Sequence, residues 1–107
     1  MTTYTDLDIL TYQSHRENSY EHTLVDVRES WEFGMGHIPG ALHIPLDELR
    51  ERVDEIPTDK PVVIVCEHGI RSVIAAQFVA QRGHEGVYNL LGGTSEWRMR
   101  GLPLDRP

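Results

Sequence analysis

The sequence predicts an α/β domain of three layers, with a small central parallel sheet of four or five strands flanked by helices on both faces. Three observations predict it. Short β-rich runs alternate with segments of helical spacing, a pattern that calls for right-handed crossovers between parallel strands. The run Pro61-Val62-Val63-Ile64-Val65 is apolar without alternation, as suits a strand covered on both faces. The 107 residues are 39% hydrophobic and contain no linker or internal repeat, which suits one domain over residues 1–107 with one compact core.

Each element has its own signal. Thr5 with Asp8 three residues on resembles a capping box, so a first helix is expected from Asp6 to about Gln13 with Leu7 and Leu10 turned inward. Thr23 to Val27 is a β-rich strand, and the Asp26 inside it requires a partner. Trp31 to Met35 reads as a brief helix stopped by Gly34 and Gly36. After the turn-rich Gly36 to Gly40, Ala41 to Ile44 is extended, because Ile44 precedes Pro45. Leu46, Leu49 and Val53 repeat at helical spacing. Pro61 to Val65 is the expected central strand. Ser72 is the expected N-cap of a helix from Val73 to Arg82, with Ile74 and Phe78 at i, i+4 and Gly83 as its stop. Val87 to Leu90 is a further strand, and Gly92-Gly93 leads into a short helix through Trp97 to Arg100.

Charge narrows the function. Ten basic and seventeen acidic side chains give a formal charge of −7, which repels nucleic-acid backbones and anionic membranes. The N-terminus lacks a basic segment, and the aliphatic run Val62 to Val65 is too short for a membrane span, so a cytoplasmic location is expected. Cys66 is the single cysteine, which excludes an internal disulfide, and a reducing compartment keeps its thiol available. The six histidines have neither paired metal-ligand spacing nor a second cysteine to join them, so neither a metal nor a cofactor is expected.

The chemistry is expected where the central strand ends. In parallel sheets ligands sit at the carboxyl ends of strands. Here that end is Cys66, followed by Glu67-His68-Gly69-Ile70-Arg71-Ser72 and a helix. Gly69 allows the loop to curl and aim backbone N–H groups at the sulfur. A helix N-terminus and a neighbouring cation such as Arg71 both favour a thiolate over a thiol. Glu67 is expected to point outward, because a carboxylate buried beside a thiolate costs more than the loop can offset. His68 is a lesser candidate for proton transfer, since most loop histidines are simply solvated. A lone cysteine is usually an inert core residue. This one closes a strand and opens an anion-cradling loop, which favours a nucleophile.

Three blocks of the chain together resemble the rhodanese family. They are Leu24 to Phe33 continuing through Gly36-His37-Ile38-Pro39-Gly40-Ala41, the loop Cys66 to Arg71, and Leu91-Gly92-Gly93-Thr94-Ser95-Glu96-Trp97 with Gly101-Leu102-Pro103. The resemblance implies a sulfurtransferase of the thiosulfate type, in which Cys66 takes a sulfane sulfur from a donor as a persulfide and passes it to a thiophilic acceptor such as cyanide or a thiol. It implies that residues 67–72 hold the persulfide, that Arg71 meets the anionic donor, and that Asp26 and Arg28 tie the surrounding loops to the scaffold. The partners it implies are a small sulfur donor and acceptor or a persulfide-carrying protein, with no nucleic acid and no membrane. The chain departs from the larger two-domain thiosulfate enzymes in carrying Glu67 where they commonly have an arginine. Glu67 and the net charge both oppose a dianion, which turns the expectation toward a persulfide donor.

Two other readings compete. A phosphatase or arsenate reductase of related fold needs Cys-x5-Arg to wrap a tetrahedral oxyanion, but here Ser72 occupies that position and Arg71 comes one residue early. A binding module without turnover would tolerate loss of Cys66, Gly69 and Arg71, and all three are present.

Overall fold

The apolar run Val62–Val65 forms β4, and all four of its side chains are completely buried. Its neighbours are β2 (Thr23–Asp26) and β5 (Val87–Leu90), with β3 (Leu42–His43) and β1 (Tyr4–Leu7) at the edges. The computed structural model describes residues 3–106. The strand order is β1-β5-β4-β2-β3 and every pairing is parallel. β4 is therefore central, as its lack of alternation predicts.

Side chains alternate across a strand, so β4 feeds two cores. Val62, Ile64 and Cys66 join Val25, Ile44, Leu49 and the small residues Ala75, Ala76, Val79 and Ala80 of α4 (Arg71–Gln81). Val63 and Val65 join Ile9 and Tyr12 of α1 (Ile9–Glu17), with Leu90 and Trp97, the latter from α5 (Gly93–Met99). The three layers are α1 and α5, the sheet, and α4 with α3 (Leu49–Arg52) and its flanking 3-10 turns. No helix among the described residues is long and apolar enough to cross a membrane.

Two expectations are corrected. Asp6 and Leu7, expected to begin a helix, instead belong to the strand Tyr4–Leu7, which pairs residue by residue with Val87–Leu90. The helix begins three residues later, where Asp8 is the N-cap and its Oδ1 accepts a hydrogen bond from the Thr11 amide at 2.7 Å. This later start turns Ile9 and Tyr12 inward and leaves Leu10 62% exposed. Ser72 likewise lies inside the first turn of α4, whose N-cap is Ile70. The Ser72 hydroxyl is drawn away from capping by Asn89 of the neighbouring strand. The inward face of α4 is its alanine and valine stripe, and Ile74 is exposed.

The short α2 (Ser30–Met35) buries none of its residues, so specific ties must hold it. The Glu29 amide donates to Glu32 Oε1 at 2.9 Å in a capping box. The Phe33 ring stacks on His37 and on His43, with centroids 3.8 and 4.2 Å apart. α2 is thereby fixed beside the carboxyl end of β2.

Candidate active site

Cys66 follows β4 directly, and the strand's alternation turns its side chain toward α4, where it is 1% exposed. Its Sγ accepts hydrogen bonds from the Gly69 amide at 3.1 Å and the Ser72 amide at 3.3 Å. Gly69 has φ +84°, so the loop turns back over the sulfur in a conformation that side chains disfavour. The first-turn amides of α4 lack intrahelical acceptors, and one of them is spent on Cys66. Two aligned N–H dipoles at one sulfur stabilise negative charge there. His68 and Ile70, on the same loop, are exposed.

Behind the sulfur runs a polar chain. The Cys66 thiol lies 3.3 Å from Ser72 Oγ, which donates its own proton to Asn89 Oδ1 at 2.5 Å. Asn89 Nδ2 in turn donates to Asp6 Oδ1 at 3.1 Å. In this arrangement the Ser72 oxygen is free to accept the thiol hydrogen. Once the sulfur is an anion, the hydroxyl has a second acceptor to turn toward. Asn89 carries a signal in the sequence of the same kind as Asp26, a polar residue within an otherwise apolar strand.

The loop backbone is gripped from below by α5. The Thr94 and Ser95 amides donate to the carbonyl oxygens of Cys66 and Glu67, each at 2.9 Å. Such close approach requires glycine at position 93, whose φ is +60° and where a Cβ would stand 2.5 Å from the Glu67 carbonyl oxygen. Gly93→Ala is expected to destabilise the fold by roughly 2–5 kcal/mol, combining left-handed strain with a backbone collision. The midpoint of urea unfolding measures it.

Glu67 does not point outward, contrary to expectation. Its side chain is 21% exposed and turns to the far side of the loop, where Oε1 accepts from Thr94 Oγ1 and lies 3.6 Å from Arg28 Nη1, while Oε2 accepts from Arg98. Burial works to raise its pKa, but Thr94 and Arg98, helped by the charge of Arg28, outweigh burial and hold the carboxyl below its ordinary range. With two arginines to satisfy it, this carboxylate was never forced into water. Its charge is locally compensated.

Asp26 finds its partner in Arg28, and both are buried. Arg28 Nε and Nη2 donate to the carboxylate at 3.0–3.1 Å, and Nη2 also donates to the Gly36 carbonyl at 2.8 Å. This pair joins the end of β2 to the end of α2. Arg71 is also engaged. Its two terminal nitrogens donate to the two oxygens of Glu32, both at 2.8 Å, and chiefly for that reason the Glu32 carboxyl sits below its usual pKa. Sequence reasoning gave Glu32 no role.

Fold and loop define an α/β domain built around one cysteine in an amide cradle. The model of the rhodanese-like domain matches residues 10–100, and the chain belongs to that family. It is similar to a sulfurtransferase of Allochromatium vinosum, 43% identical over 84 residues that cover 78% of each chain. It is also similar to the thiosulfate sulfurtransferase GlpE of Vibrio cholerae, 31% identical over 105 residues that cover 98% of each. Among solved structures, a rhodanese-related protein from Thermoplasma volcanium superposes with a TM-score of 0.88 at 30% identity, covering 97% of this chain and all of the other.

Proposed function

We propose that the protein is a sulfurtransferase that carries sulfane sulfur as a persulfide on Cys66. The observation that carries the reading is the sulfur itself, at the carboxyl end of the central strand with two backbone amides and one hydroxyl directed to it. The Cys66 thiolate attacks the sulfane sulfur of a donor. A new S–S bond forms, the donor's own bond to that sulfur breaks, and its electron pair leaves with the donor remnant, which is sulfite when the donor is thiosulfate. The outer sulfur of Cys66–S–S⁻ is then attacked by a nucleophilic acceptor. Cyanide leaves as thiocyanate, or a thiol leaves as its persulfide, and the Cys66 thiolate returns.

The residues of the loop divide the work in this reading. The amides of Gly69 and Ser72 stabilise the anionic sulfur as oxyanion-hole donors stabilise oxygen. Gly93 and the start of α5 keep the loop closed. The named activities of the two relatives support sulfur transfer as the reaction class. Both reactions are to be assayed on one preparation: incubation with thiosulfate or a small organic persulfide should add one sulfur to the intact mass, and cyanide should remove it as thiocyanate. Hydrolysis of phosphate esters without any sulfur loading would overturn the reading in favour of a phosphatase.

A further inference from the structure

Arg71 stands at the far end of the Cys66 loop, where its permanent positive charge is well placed to attract an anionic donor. Its guanidinium instead donates two parallel hydrogen bonds to Glu32, Nη1 to Oε1 and Nη2 to Oε2, each at 2.8 Å. This geometry gives a strong and well-oriented ion pair. Glu32 is itself fixed, because its Oε1 also accepts from the Glu29 amide in the capping box and its side chain is only 13% exposed. Arg71 also borders a cavity of about 320 Å³ lined by Val27, Glu29, Leu46 and Asp47. Counting side chains, one positive group (Arg71) faces three negative ones (Glu32, Glu29 and Asp47). Neither Glu67, paired on the other side of the loop, nor the net charge of the chain is needed to explain this polarity.

We infer that Glu32 is a specificity-determining residue, which cancels the charge of Arg71 and so sets the entrance to Cys66 to favour persulfides and other donors of low negative charge over the thiosulfate dianion. The inference rests on the reading of Cys66 as the sulfur carrier. Because Arg71 keeps the Glu32 carboxyl ionised well below neutral pH, the selection holds throughout the neutral range.

Glu32→Gln is the variant of choice, since Gln also serves in a capping box and α2 keeps its start. Uncovering the positive charge of Arg71, which lies on the same loop as Cys66 and interacts with its charge, should speed attack on a monoanion by about 3- to 10-fold relative to a neutral reagent, and attack on a dianion by about the square of that factor. One arm needs no turnover: the rate of Cys66 alkylation by iodoacetate divided by that by iodoacetamide. This ratio should rise about 3- to 10-fold in Glu32→Gln, and by less in Asp47→Asn, whose carboxylate is exposed and makes no pair with Arg71. The other arm compares sulfur loading from thiosulfate with that from a monoanionic thiosulfonate, and thiosulfate should gain more. An unchanged alkylation ratio in folded Glu32→Gln overturns the inference whatever Asp47→Asn does, as does a rise in Asp47→Asn as large as that in Glu32→Gln, or equal acceleration of both sulfur donors. A raised ratio with no sulfur loading from any donor upholds the charge-setting role of Glu32 and overturns the sulfurtransferase reading instead.

Discussion

Cys66→Ser is expected to abolish sulfur loading, with a fall in transfer of about a thousand-fold or more, while the fold survives. Both halves of this result follow from the surroundings of the side chain. A hydroxyl forms no persulfide, and it is a far weaker nucleophile than a thiolate near neutral pH. An oxygen introduced into an apolar core normally lacks partners and destabilises. Here the amides of Gly69 and Ser72 already point at the position, and Ser72 Oγ is within reach. The variant should therefore lose no more than about 1 kcal/mol, a shift of some 4–8 °C in melting temperature for a domain of this size. Intact mass after incubation with donor should show one added sulfur on the wild type and none on Cys66→Ser. Loading of the serine variant would mean that Cys66 is not the carrier.

The central part of this arrangement was legible because its causes are local. Four consecutive β-branched residues define β4, and the residue after them must sit at the carboxyl end of the sheet wherever the other strands lie. Gly69 and the glycines at 92 and 93 announce tight backbone in the same direct way. The edge strand β1 was not legible. Tyr4–Leu7 is held by β5, more than eighty residues away, and only Leu7 of the strand is buried. With so little burial the local cap signal dominated, and it was misplaced by three residues because Asp8, read as the partner of a Thr5 cap, is itself the cap.

Charged contacts at the site were the least legible of all, because they join elements distant in sequence. Glu32 and Arg71 are 39 residues apart, and Glu67 meets Arg98 at a separation of 31. A formal charge of −7 says that acids outnumber bases, but not which acids lack partners. In the fold, Glu67 is paired with Arg98 and lies 3.6 Å from Arg28, whereas Glu29 and Asp47 line the cavity beside Arg71, whose own charge Glu32 takes. The opposition to a dianion inferred above therefore rests on the other side of the loop from Glu67.

Replacement of Arg28 by methionine is expected to be the most destabilising change outside the loop. Asp26 is wholly buried and Arg28 is 2% exposed, so each charge depends on the other. In Arg28→Met the carboxylate keeps only the backbone amide of residue 28, at 2.9 Å in the native protein, and the Gly36 carbonyl loses its donor. Breaking a buried pair from one side costs about 3–5 kcal/mol, because the remaining charge has no water to return to. For a domain of about a hundred residues this lowers the melting temperature by roughly 12–40 °C. A merely structural gap left by the arginine stem would behave differently, since the methionine fills much of that volume. The decisive comparison is therefore the double variant Asp26→Leu/Arg28→Met. Removing both charges takes away the uncompensated carboxylate, so the double variant should be more stable than Arg28→Met alone, as thermal or urea unfolding of the three proteins would measure. A double variant no more stable than the single one would mean that the loss comes from packing, the Gly36 tie and the Glu67 contact, which both variants lack, and not from the stranded charge.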